Sequence, residues 1–157
     1  YSRFLVRFLL SAGRERDVET FAFGTRLTRL TGHSRAGRPG DVLDALSERL
    51  PQWAGGTRIG ECLAEFLEIH GRTLLGQETV TVIMSDGLDR GDVERLRHAM
   101  RGIQRRSRRV IWLNPLLESD EYWPEARGMK AALPHVDDFA PGHSLEALRR
   151  LPSLIRL

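Results

Sequence analysis

Val82-Ile83-Met84-Ser85-Asp86-Gly87-Leu88-Asp89-Arg90-Gly91-Asp92 is the stretch on which the reading of the fold turns. Its first residues close Thr79–Ser85 (TVTVIMS), a continuous run of β-formers of the kind a central parallel strand shows when both of its faces are covered. Asp86 then stands at the strand tip, with Gly87 and Gly91 freeing the backbone around it. Asp92 reads as the N-cap of a helix that turns Val93, Leu96, Met100 and Ile103 to one side. Arg109–Leu113 (RVIWL), ended by Asn114-Pro115, reads as the next strand.

The same alternation continues on either side. Upstream, Tyr1, Phe4, Leu5, Phe8 and Leu9 recur at helical spacing, and Val18–Phe23 is a short β-rich run closed by Gly24. Arg26–Thr31 alternates as an edge strand or hairpin arm does, and His33–Gly40 is a polar loop. Asp41 caps an expected helix with Leu43, Leu46 and Leu50 inward, stopped by Pro51. Ile59, Cys62, Leu63, Phe66 and Leu67 form another apolar helical face. Downstream, a helix is expected around Pro124–Leu133 and a short strand at Val136–Phe139. Pro141–Ser144 then leads into a last helix capped by Ser144. Strands separated by helices of this length indicate an α/β fold, a doubly wound and mostly parallel sheet with helices on both faces. The 157 residues suit a single domain.

Composition narrows the classes. With 41% hydrophobic and 29% charged residues the chain is globular, and no apolar run approaches the ~18 residues of a membrane span. One cysteine, Cys62, excludes an internal disulfide and a cysteine-based zinc ribbon. Nothing reads as a signal peptide, so the cytoplasm is the expected compartment. Lys130 is the only lysine among 24 Lys+Arg, yet 21 acids hold the formal charge to +3. An arginine bias of this kind points to coding composition more than to a nucleic-acid partner. Position 1 is Tyr and not Met, which suggests a chain that starts inside a longer product.

Two segments suit chemistry at the carboxyl ends of the strands, where ligands gather in an open parallel sheet. Gly55–Gly60 offers the Thr57 hydroxyl just before a helix, and Ser85–Asp92 offers Asp86. A hydroxyl and carboxylates without nearby cysteine or histidine make a hard-oxygen site, suited to magnesium, manganese or calcium. The plainer account makes Thr57 a helix cap and Asp86 a turn residue.

WAGGTRIGE (53–61), VIMSDGLDRGD (82–92), VIWLNPL (110–116) and ALPHVDDFAPGHSLEAL (132–148) together resemble the von Willebrand factor A (VWA) domain of the CoxE-like family. The resemblance implies a Rossmann-like fold and a non-catalytic adaptor working beside a MoxR-type AAA+ ATPase. Its implied client is a metalloenzyme under maturation, of the molybdenum–copper carbon monoxide dehydrogenase type. It also implies a metal-ion-dependent adhesion site for Mg²⁺ or Mn²⁺, in which the family's threonine is Thr57 and its aspartate Asp86. Arg58 and Asp89 are then candidates for partner contact. The family's DxSxS motif and the strand before it fall ahead of Tyr1, so the resemblance implies an N-terminally truncated domain. Weak or absent metal binding by these residues alone follows from that.

Other signals are weaker. Arg95, Arg97, Arg101, Arg105, Arg106, Arg108 and Arg109 read as a solvated helix face, without the interleaved aromatics of a single-strand platform. A docking surface for an acidic protein is the intermediate reading, and nucleic acid is not expected. His135, Asp137, Asp138 and His143 read as a late strand and polar turn, not a metal cluster. Cys62 lies on the apolar stripe of its helix and reads as core. The competing class is a Mg²⁺-dependent phosphotransfer enzyme using Asp86 and Asp89, for which the sequence offers no nucleophile or general base beside the metal. Without G-x-S-x-G, Walker A or G-x-G-x-x-G, the hydrolase, ATPase and dinucleotide-binding readings lack their motifs.

Overall fold

The computed structural model describes residues 18–31, 56–117 and 126–142. The helices expected at Tyr1–Leu10, from Asp41 and from Ser144, the loop His33–Gly40, and His143 lie outside the described residues. Strand β1 (Phe21–Phe23) pairs antiparallel with β2 (Leu27–Arg29). Helix α1 (Ile59–Ile69) and the short α2 (Gly71–Leu74) lead to β3 (Val80–Met84). Helix α3 (Val93–Arg106), β4 (Arg109–Asn114), α4 (Arg127–Ala132), the 3₁₀ turn η1 (Leu133–His135) and β5 (Asp138–Pro141) follow. β3, β4 and β5 form a parallel sheet in that order, and the hairpin β1–β2 is a separate sheet.

Each element has a local cause. Asp92 caps α3 as its sequence position suggests, its carboxylate accepting the Glu94 N–H at 2.9 Å. The apolar stripe Leu96, Ala99, Met100 and Ile103 then goes into the core with Ile59, Leu63, Ile83, Val110, Trp112 and Met129. Burying each of the larger side chains stabilises by roughly 1.5–3 kcal/mol as an upper estimate. Gly60 lets α1 approach α3 closely. A Cβ there would lie 2.7 Å from the Leu96 nitrogen and 3.0 Å from the Asp92 carbonyl oxygen.

Two expectations shift. β3 is less buried than its continuous apolar run suggests, and Val82 is 37% exposed. α1, α3 and α4 all contribute to the core on the Ile83, Val110 and Trp112 face. Val82 alternates with Ile83 and so points to the opposite side of the sheet, where Ile111 and Leu113 form a smaller cluster with Val80, Met84 and Ala140. Among the described residues β3 also has a strand neighbour on one edge only. The last strand starts at Asp138 and not at Val136. The 3₁₀ turn runs through Pro134 to His135, with Val136 as its C-cap, and parallel pairing begins where Asp138 meets Ile111. The Arg109 side chain then ion-pairs with Asp138 beside that register.

Candidate functional site

The site is assembled where three loops meet at the carboxyl ends of β1 and β3 and at the start of α1. Gly56 turns the chain with φ +86°, a backbone region open to glycine, and the Arg90 side chain lies over it. Arg58 is the N-cap of α1 but gives it no side-chain cap bond, and the Thr57 hydroxyl does not serve as one. The cap comes from the other loop. Asp89 Oδ1 accepts the Ile59 N–H at 2.8 Å and the Gly91 N–H at 3.1 Å. The Arg90 N–H donates to the Thr57 carbonyl at 2.9 Å, and the Arg58 N–H donates to the Gly24 carbonyl at 2.8 Å. These bonds stitch the hairpin turn, the Thr57 loop and the Asp86 loop together.

Asp86 sits on a rigid footing. The buried Trp112 indole N–H donates to the Ser85 carbonyl at 2.8 Å, and the Asn114 amide donates to the Asp86 carbonyl at 3.4 Å. The Asp86 carboxylate accepts the Leu88 N–H at 3.0 Å, and the Ser85 hydroxyl accepts the Gly87 N–H at 3.1 Å. Gly87 carries φ +76°, and a Cβ on it would strike Met129 Sδ at 2.2 Å. The carboxylate of Asp86 is thus both a turn former and a group held at the strand tip. Asp89 is turned to structural use, and its other oxygen is buried without a hydrogen-bond partner. Glu61 Oε2 is likewise buried and unpartnered, and it packs against Gly91, where a Cβ would lie 2.1 Å from it.

Sequence reading missed Gly24, Glu61, Trp112 and Asn114 as parts of this assembly. Gly24 and Asn114 carried a signal, as the residues that close two of the expected strands. The other candidates settle simply. Cys62 is buried on α1, with its thiol 3.6 Å from the Gly24 carbonyl, and burial pushes that thiol up to about 11, which leaves it a poor nucleophile. Asp137 accepts the Val110 N–H, Asp138 pairs with Arg109, and His135 bonds Gln104, so these side chains serve the sheet and the α3–η1 contact. Among the described residues no three His, Cys, Asp or Glu side chains gather at metal-binding spacing.

The profile of the VWA domain containing CoxE-like proteins matches residues 1–148. The chain belongs to that family. No curated protein and no solved structure matches it. The CoxE-like VWA domain is a module of the adaptor type, and its parallel β3–β4–β5 sheet with intervening helices is the VWA architecture. No helix among the described residues is long and apolar enough to cross a membrane.

A divalent ion of the kind the family implies can be tested against these residues. Thr57 and Asp86 are hard-oxygen donors on two stitched loops, and two further carboxylate oxygens nearby, from Glu61 and Asp89, lie buried without partners. The donor chemistry therefore suits Mg²⁺ or Mn²⁺. The number falls short, because Thr57 and Asp86 supply two of the ~6 positions such an ion fills.

Proposed function

We propose that this CoxE-like VWA domain is a non-catalytic adaptor that binds a partner protein through a divalent ion, Mg²⁺ or Mn²⁺. Thr57 and Asp86 hold the ion in part, and the DxSxS residues that the family carries ahead of this stretch supply the remaining protein ligands. Bound there, the ion supplies an open coordination position for a carboxylate of the partner. We further propose that the partner is a MoxR-type AAA+ ATPase, that the client is a metalloenzyme under maturation, and that the adaptor works in the cytoplasm.

The observation that supports this reading is the stitching of the two loops. The Arg90–Thr57 bond and the Asp89 cap on α1 hold the loops that carry Thr57 and Asp86 to one another. Preorganised oxygens lose little freedom when an ion arrives, which favours binding. In this reading the residues of this chain orient and neutralise, without a catalytic step of their own. Arg58 is exposed beside Thr57, within reach of an acidic partner.

Calorimetric titration with Mg²⁺ tests the reading on this chain and on a version extended upstream by one strand and its loop. Weak binding to the chain and tight binding to the extended protein, lost in Thr57→Ala and Asp86→Ala, is the expected result. Tight binding to the chain alone overturns the ligand assignment. Turnover of a phosphate ester by the extended protein, abolished by Asp86→Ala, overturns the non-catalytic role.

A further inference from the structure

Between Val93 and Arg106, helix α3 carries Arg95, Arg97, Arg101, Arg105 and Arg106 against one acid, Glu94. All five arginines are exposed, because Leu96, Ala99, Met100 and Ile103 take the buried side. Arg97, Arg101 and Arg105 follow one another at four-residue steps, ~6 Å apart along the axis at ~1.5 Å per residue. They make a ridge about 12 Å long on the outer side of the helix. Gln104 bonds His135 of η1, Gly102 lies against Leu67 of α1, and Arg106 reaches Gly71. The helix is therefore seated between α1 and the α4–η1 segment, and the ridge looks out between them.

Ordinary helix chemistry accounts for part of this charge. Arg97 pairs with Glu94, and Arg105 and Arg106 complement the carboxyl end of the helix dipole. It does not account for the rest. Arg95 lies in the first turn, where a cation opposes the dipole, and Arg101 lies mid-helix. Among the described residues neither they nor Arg105 and Arg106 have a carboxylate partner. The unbalanced charge also reaches neighbouring groups. His135 is driven below its ordinary pKa first by burial and then by Arg101 and Arg97.

We propose that this face of α3 is a second docking surface, fitted to an acidic helical segment of a partner protein whose carboxylates recur once per turn. Such carboxylates repeat at the same pitch as Arg97, Arg101 and Arg105, so guanidinium and carboxylate meet in register. Nucleic acid fits less well, for three reasons. The amino end of α3 carries Asp92 and Glu94, which repel the phosphates that helix amino ends otherwise attract. No aromatic residue stands among the arginines to stack a base. Packed against α1 on one flank and η1 on the other, α3 is seated in the fold and does not project as a groove-reading helix does. The surface needs no metal and is independent of the Thr57–Asp86 site.

The test is fluorescence anisotropy with an alanine-based 20-residue helical peptide bearing glutamate at every fourth position, its glutamine counterpart, and duplex and single-stranded DNA of matched length. The glutamate peptide binds at about 50 mM salt and weakens as salt rises, and the glutamine peptide does not bind. Arg101→Glu/Arg105→Glu weakens binding roughly tenfold or more. The control pair Arg26→Glu/Arg72→Glu, with the same change of charge at exposed sites elsewhere, weakens it less than about threefold. Circular dichroism of both variants confirms that the fold is kept. Absence of peptide binding, equal loss in the control pair, or tighter binding of either DNA through the same arginines overturns the proposal.

Discussion

Replacing Asp89 by alanine is the sharpest probe of how the site is built. Its Oδ1 accepts two backbone N–H groups, from Ile59 at 2.8 Å and Gly91 at 3.1 Å. The Ile59 N–H is one of the amino-terminal groups of α1 that no carbonyl within the helix can reach, and loss of such a cap costs about 0.5–2 kcal/mol. The Gly91 bond adds roughly 0.5–1.5 kcal/mol. Against these stands a gain, because Asp89 Oδ2 is buried without a partner and its removal relieves a desolvation cost. The net expectation is a destabilisation of about 2 kcal/mol. Asp89→Asn keeps an oxygen at the cap and loses less than about 1 kcal/mol. Asp86→Ala costs less than Asp89→Ala, because its bond to the Leu88 N–H is exposed to water whereas Asp89 holds two backbone N–H groups. Urea unfolding followed by circular dichroism, with the slope against denaturant unchanged, measures all three. If Asp86→Ala costs as much as Asp89→Ala, or if Asp89→Ala costs less than about 0.5 kcal/mol, the division between a structural and a ligand carboxylate is refuted.

Two further outcomes follow from the packing and from the charge. Gly60→Ala sets a methyl 2.7 Å from the Leu96 nitrogen and 3.0 Å from the Asp92 carbonyl, and because backbone cannot swing aside it destabilises by about 1–3 kcal/mol in the same unfolding assay. His135 has a folded pKa depressed below its ordinary 6.5, so the unfolded chain binds its proton first. The stability this neutral histidine contributes is full above ~6.5 and falls as pH drops from there toward the folded pKa. Titration of the ring by NMR gives the folded value, and Arg101→Ala raises it; an unmoved value refutes the electrostatic reach of the α3 arginines.

Much of the fold was legible because periodicity and punctuation act locally. TVTVIMS, RVIWL and the stripe Leu96, Met100, Ile103 declared a parallel α/β sheet, and Asp92 declared a cap that the structure contains. Val136 was misplaced as strand because a local β pattern cannot sense where β4 begins its pairing with β5. The full burial expected of β3 failed at Val82 for a similar reason, since exposure depends on which face the helices choose.

The candidate site divides along the same line. The donor types, a threonine hydroxyl and an aspartate each placed beside glycine, were set locally, because residue chemistry and turn preference belong to single positions and near neighbours. Their use was fixed by long-range packing. It assigned the cap of α1 to Asp89, 30 positions away, left Thr57 outside that role, and fastened the Asp86 loop with Trp112 and Asn114. Such assignments arise because unsatisfied N–H groups and carbonyls take whichever partner folding brings within about 3 Å, and that choice is made across the sheet and not along the chain.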